Sequence, residues 1–129
     1  MELEVFFEEN LKVNARIGDQ IVKTDQPVRA GGDGSAPAPF DLFLASLGTC
    51  AGIYVKGFCQ QRGIPTDNIK IIQKHHWNPL TRLIDRIDMK VELPDDFPEK
   101  YKPIVIKAVD QCAVKKHLAN PPQFSVSTT

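Results

Sequence analysis

Residues 40–59 read Phe40-Asp-Leu-Phe-Leu-Ala-Ser-Leu-Gly-Thr-Cys50-Ala-Gly-Ile-Tyr-Val-Lys-Gly-Phe-Cys59. Phe40, Phe43, Leu44, Leu47, Ala51, Tyr54, Val55 and Phe58 recur at the i, i+3, i+4, i+7 spacing of one face of an α-helix, and Gly63 marks its end. Asp41, just after Pro39, adds negative charge to the first turn, where the helix dipole favours it. Gly48 and Gly52 each cost about 1 kcal/mol relative to alanine unless something approaches the backbone closely, so a second helix is expected to cross there. Cys50 falls in the middle of this run, which holds its thiol dry and in a fixed direction.

Working outward, the chain alternates between strand and helix signals. Leu3, Val5 and Phe7 share one face and Glu9-Asn10 is a turn signal; Val13 to Ile17 and Gln20 to Thr24 then flank Gly18-Asp19, so the spacing predicts a three-stranded antiparallel meander. Gln26 to Pro39 is dense in Gly and Pro and reads as a loop, ordered or mobile. Beyond the helix, Ile69 to Trp77 is rich in strand formers, and Leu83, Ile87, Met89, Val91 and Leu93 alternate with polar residues, which predicts a second antiparallel pair. Pro98 suits a helix first position, and Tyr101, Ile104, Val105, Ala108, Val109 and Cys112 form a helical stripe that Pro103 kinks or restarts. A short helix over 113–118 and a final strand over 123–128 complete the reading. The fold class is α+β, and 129 residues suit a single domain spanning 1–129.

Composition narrows the function classes. Sixteen basic residues balance sixteen acidic ones, leaving no net field to draw in nucleic acid or an anionic membrane. No basic segment followed by an apolar stretch opens the chain, and the apolar run from Leu42 to Val55 is short and rich in Gly and Ser, so neither a signal peptide nor a membrane span is expected; the protein reads as cytoplasmic. Three cysteines without a Cys-x-x-Cys pair make neither a secreted disulfide framework nor a zinc motif, which leaves the chemistry of reversible thiols.

Cys50 and Cys59 lie nine positions apart, roughly 13 Å along one helix and on opposite faces, too far to bond to each other. Cys112 is the intramolecular partner open to either. Cys50 has small neighbours in Ser46, Gly48, Thr49 and Ala51, whereas Cys59 sits by Gln60, Gln61 and Arg62 at the expected frayed end. Cysteine also serves as a small buried hydrophobe, and both readings stand on composition alone. A reactive thiol needs a cation or a helix N-terminus to lower its pKa, which a helix interior does not supply. Arg29 in the Gly-rich loop and Arg16 in the hairpin are the candidate cations, with Asp41 a candidate to hold the arginine.

The stretch Ser35-Ala-Pro-Ala-Pro-Phe-Asp-Leu-Phe-Leu-Ala-Ser-Leu-Gly-Thr-Cys50, with Cys112-Ala-Val-Lys-Lys-His-Leu far downstream, resembles the OsmC/Ohr family of osmotically inducible and organic hydroperoxide resistance proteins, across nearly the whole chain. The resemblance implies an intertwined α+β homodimer with two central helices packed on two antiparallel sheets. It further implies a peroxidase acting on organic hydroperoxides: Cys50 becomes a sulfenic acid, Cys112 resolves it as a disulfide, and an external dithiol reduces that, with no cofactor or metal. Catalytic residues carried over are Cys50, Cys112, Arg29 and Asp41. Phe40 stands where many peroxidase members have a glutamate, and Ala113 where the family has a proline after its second cysteine.

His75-His76 is no metal pair, because adjacent strand residues point to opposite faces, and His117 reads as part of a solvated basic helix end. Gly31-Gly32-Asp33-Gly34 lacks the strand-turn-helix context of a nucleotide loop. Two functions from different classes survive: a two-cysteine hydroperoxide reductase, and a non-catalytic dimeric protein that holds a small hydrophobic ligand.

Overall fold

The computed structural model describes residues 1–129. Its elements run β1 (Glu4–Phe7), β2 (Val13–Ile17), β3 (Gln20–Val22), α1 (Pro39–Gln61), β4 (Lys70–Asn78), β5 (Leu83–Glu92), α2 (Lys102–Val109) and α3 (Ala113–Ala119), with 3-10 turns at Val28–Ala30 and Glu99–Tyr101. Two compact units are distinguished, Met1–Ala45 and Ser46–Thr129, and α1 begins in the first and ends in the second. The architecture is α+β with two antiparallel sheets, β1-β2-β3 and β4-β5.

In the first unit the expected meander forms, with Val5 opposite Ala15 and Arg16 opposite Ile21. Its turns use the positive φ of Asn10 (55°) and Gly18 (57°). The Gly- and Pro-rich loop after it is ordered, and the reason is a residue that the sequence reading passed over. Asp25 is fully buried, and its carboxylate accepts hydrogen bonds from the Gln26 N–H (2.7 Å), the Ser35 N–H (3.0 Å) and the Ser35 hydroxyl (2.6 Å). Those donors, the Ser35 hydroxyl foremost, hold its pKa down at about 2 against the opposing effect of burial. The loop is drawn so tight that a Cβ on Gly32 would lie 2.0 Å from the Gln26 carbonyl oxygen. Asn10 fastens it from outside by donating to the Gly31 carbonyl (3.0 Å) and to Asp33 (3.1 Å), and Lys12 pairs with Asp33 at 3.1 Å.

The second unit is built on the β4-β5 hairpin, in which Ile71 pairs with Val91 and Gln73 with Met89, up to a bulge at His76/Trp77. One stripe of α1 supplies Ala51, Val55 and Cys59 to a core completed by Phe97, Val105 and Val109, against which Ile71, Met89 and Val91 pack. The glycines of α1 are approached by strand β4 and not by a second helix. A Cβ on Gly48 would stand 2.4 Å from the Gln73 Oε1, and one on Gly52 would stand 3.8 Å from the Ile71 Cδ1. Cys59 also departs from expectation: it is not at a frayed end but fully buried in the core.

Three boundaries differ for local reasons. Pro103 sits in the first turn of α2, where its missing N–H is harmless, so it starts the helix instead of kinking it. Helix α2 ends at Val109, where the Asp110 and Gln111 N–H groups bond back to Ile106 and Ala108. Cys112 is therefore off the α2 stripe and forms the N-cap of α3, which starts at Ala113. Residues 123–128 form no strand: Phe124 and Val126 are 88% and 97% exposed, and no neighbouring strand pairs with them. Helix α1 is longer than the apolar run suggested, 23 residues with hydropathy 1.5 in its most apolar window, so by length and composition alone it meets the requirement for crossing a bilayer.

The Asp25 clasp carries a pH signature. Its folded pKa lies below the ordinary carboxyl value of 3.8, at about 2, so the stabilisation is complete above the unfolded value and is lost as the pH falls towards 2. Asp25→Asn is expected to lower the urea midpoint at neutral pH, with the gap to the parent protein closing between about pH 4 and pH 2. Gly32→Ala is expected to lower the midpoint at every pH, because its clash is with backbone.

Candidate active site

Cys50 and Cys112 meet, although 61 residues separate them in the chain. Cys50 lies one turn beyond Leu47 on α1, on a different face from the core stripe, and is partly exposed. Cys112 is fully buried at the elbow between α2 and α3, and its single thiol hydrogen is shared between the Leu47 carbonyl, at 3.9 Å, and the Cys50 sulfur. The first turn of α3 adds two more donors aimed at Cys50. Its pKa is lowered chiefly by the Val114 N–H, next by the Cys112 thiol, and with a smaller contribution from the Ala113 N–H, all against desolvation. Both thiols are free and no disulfide joins them.

That arrangement answers the difficulty posed by the sequence. A thiolate in a helix interior finds no help from its own helix, whose N–H groups are used internally, but a second helix can present its unsatisfied N-terminal N–H groups from the side. Cys112 at the N-cap places Ala113 and Val114 for this task. Part of the signal was present in the sequence, as a short helical run from Ala113 with Lys116 and His117 in its last turn. His117 closes that turn by donating from Nδ1 to the Ala113 carbonyl at 2.7 Å. Cys59 has the opposite character, with burial pushing its pKa up while Lys56 and Arg62 pull weakly the other way.

The remaining sequence candidates lie in the first unit. Arg29 is exposed on the Val28–Ala30 turn, and Asp41 is exposed in the first turn of α1; no ion pair joins them. Arg16 pairs with Glu4 at 4.0 Å and lies 5.5 Å from the centre of the Phe6 ring. His75 and His76 part as expected on β4: His75 accepts from the Gln73 amide at 2.8 Å, while His76 donates to Asp88 at 2.6 Å. No group of three or more His, Cys, Asp or Glu side chains converges as a metal site would require.

Beside the elbow is a cleft of about 350 Å³. Leu47, Ile87, Met89, Ile106 and Val109 make it apolar, and Asp110 and Lys115, an ion pair at 2.7 Å, stand with Leu118 along its α3 side. Leu47 belongs to both places, since its side chain lines the cleft and its carbonyl receives the Cys112 thiol.

Residues 32–127 match the family described as OsmC-like protein. The chain belongs to that family. None of the curated proteins matches it. Among solved structures, a putative osmotic stress induced and detoxification response protein from Psychrobacter arcticus is 20% identical with a TM-score of 0.73, over 88% of this chain and 85% of that one. An organic hydroperoxide resistance protein OsmC from Legionella pneumophila is 16% identical with a TM-score of 0.51, over 91% and 87%. A putative organic hydroperoxide resistance protein from Vibrio cholerae, with captopril in one of its active sites, is 15% identical with a TM-score of 0.54, over 93% and 86%. At these identities the likeness is one of fold, and it agrees with the two antiparallel sheets and three helices of this OsmC-like chain.

The thiols are expected to separate cleanly by reactivity. Iodoacetamide should modify Cys50 first, with a pH midpoint below that of an ordinary cysteine, and leave Cys59 untouched until the protein is unfolded. Cys112→Ala removes one donor and should move that midpoint up, whereas Cys112→Ser, which keeps a hydroxyl, should move it less. Peptide mass spectrometry against pH reads all three.

Proposed function

We propose that this OsmC-like protein is a thiol-dependent peroxidase that reduces organic hydroperoxides. The observation that supports this best is the cluster of three donors on Cys50, one of which is the thiol of a second cysteine. The Cys50 thiolate attacks the terminal peroxide oxygen, the O–O bond breaks, and the alkoxide leaves and takes a proton to become the alcohol. Cys50 is then a sulfenic acid. The Cys112 sulfur attacks the Cys50 sulfur, water leaves, and the resulting disulfide is reduced by an external dithiol that is itself oxidised to a disulfide. The same N–H groups that hold the thiolate favour its formation, and the apolar cleft next to Leu47 suits the organic body of the peroxide.

The Legionella and Vibrio proteins are named for organic hydroperoxide resistance, which agrees with this reading. Of the two arginines considered, Arg16 already has Glu4 as a partner, so we assign the supporting cation to Arg29 and keep Asp41 as the acid proposed to hold it. The working form is taken to be an intertwined homodimer. Only 22% of the most apolar window of α1 is buried within the chain, and Ile53 and Ile104 are 70% and 42% exposed, an amount of uncovered apolar surface that a second copy would bury. Free thiols of this kind suit the reducing cytoplasm. The cleft also favours a second reading, a dimeric protein that binds a small apolar ligand without chemistry.

Reduced protein mixed with cumene hydroperoxide should lose two thiols and gain a Cys50–Cys112 crosslink, visible by peptide mass. Cys50→Ser should abolish turnover, Cys112→Ser should accumulate a sulfenic acid that dimedone traps, and Arg29→Ala should slow the peroxide step by about 100-fold if its cation meets the developing charge. Unchanged thiols at millimolar peroxide would favour the binder.

A further inference from the structure

The elbow between α2 and α3 serves two places at once. Its hinge, Cys112, shares its one thiol hydrogen between the Leu47 carbonyl (3.9 Å) and Cys50. Its flanks, Asp110 and Lys115, are joined at 2.7 Å and form, with Leu118, one side of the cleft that Leu47 and Val109 also line. Within the chain none of the seven residues of α3 is buried, so its hold on the rest of the subunit is slight. Its seat is Cys112 together with the Ala113 and Val114 N–H groups that face Cys50.

We propose that this elbow is a redox latch on the cleft: forming the Cys50–Cys112 disulfide unseats α3, so that an occupied cleft and an oxidised cysteine pair disfavour each other. The inference rests on the reading of these two cysteines as a pair that exchanges two electrons, and not on peroxide being the oxidant. An S–S bond is about 2 Å, shorter than any hydrogen-bonded sulfur contact, so the sulfurs must be drawn together. In the disulfide the Cys112 thiol hydrogen is gone, and with it the bond to Leu47. The Cys50 charge is gone too, which leaves the two N–H groups facing a neutral sulfur. With no buried side chain to anchor it, α3 shifts, and Lys115 and Leu118 leave the cleft wall. The coupling is reciprocal: a ligand that binds the dithiol form tenfold more tightly than the disulfide form raises the reduction potential of the couple by about 30 mV.

The test makes the disulfide with diamide, which accepts the two hydrogens and becomes the hydrazide, and reverses it with dithiothreitol. Amide hydrogen exchange over 113–119 is expected to quicken at least tenfold on oxidation while 102–109 stays within twofold, and cumyl alcohol is expected to bind the oxidised form at least tenfold more weakly by NMR titration. Cys50→Ser/Cys112→Ser should not respond to diamide; should that variant fail to fold, Cys112→Ser is the control. The latch is overturned if diamide makes no such crosslink, if the crosslink forms with exchange over 113–119 and alcohol affinity each within twofold, or if the cysteine-free pair responds equally. Unseating by diamide without cumene hydroperoxide turnover would refute the peroxidase and leave the latch standing; turnover with an unmoved α3 would refute the latch alone.

Discussion

A negative charge on a sulfur half-way along a helix has to be matched by donors from somewhere else, and the region around Cys50 is arranged around that requirement. The backbone N–H groups of α1 are spent within the helix. The donors come instead from residues 112–114, where one helix has ended and another begins. Ending α2 at Val109 and starting α3 at Ala113 thus has a chemical consequence. A continuous helix through 112 would have used those N–H groups internally and put Cys112 on a stripe with its hydrogen directed elsewhere.

Helix α1 meets this requirement because its faces are divided. Leu47, Ala51, Val55 and Cys59 run along a buried stripe, each worth on the order of 1–3 kcal/mol of apolar burial for the larger side chains. Gly48 and Gly52 let β4 lie close, with Gln73 and Ile71 against the helix. Cys50 falls on neither surface, so it is free to face the elbow. Two thiols on the same helix accordingly have opposite characters: the one in the core is pushed up by burial, and the one facing backbone donors is pulled down.

Periodicity made most of the architecture legible. The meander, α1 and the β4-β5 pair follow directly from alternating or helical spacing, and Cys112 as the only partner for Cys50 follows from helix geometry. What did not show were features set by contacts that periodicity ignores. The Val114 and Ala113 N–H groups are invisible as residue types, because any side chains there would present the same backbone; an arginine was sought in their place. Asp25 was overlooked since an acid two residues before a proline reads as a solvated turn, yet its two carboxylate oxygens accept from three donors of the loop, which lets it be buried as an ion. The strand expected at 123–128 has the right alternation but no neighbour to bond with, and pairing is what makes a strand.

The oxidised and reduced forms differ in where their stability resides. Cross-linking residues 50 and 112 constrains a long span of the unfolded chain, by about 4 kcal/mol on chain entropy alone, so the disulfide form should be globally harder to unfold. Locally the balance runs the other way, since the charge and the thiol hydrogen that seat α3 are consumed in making that bond. A region held chiefly by the electronic state of one sulfur is the natural place for a fold to respond to oxidation, because nothing in the hydrophobic core around Val55, Val105 and Phe97 has to be rearranged when it moves.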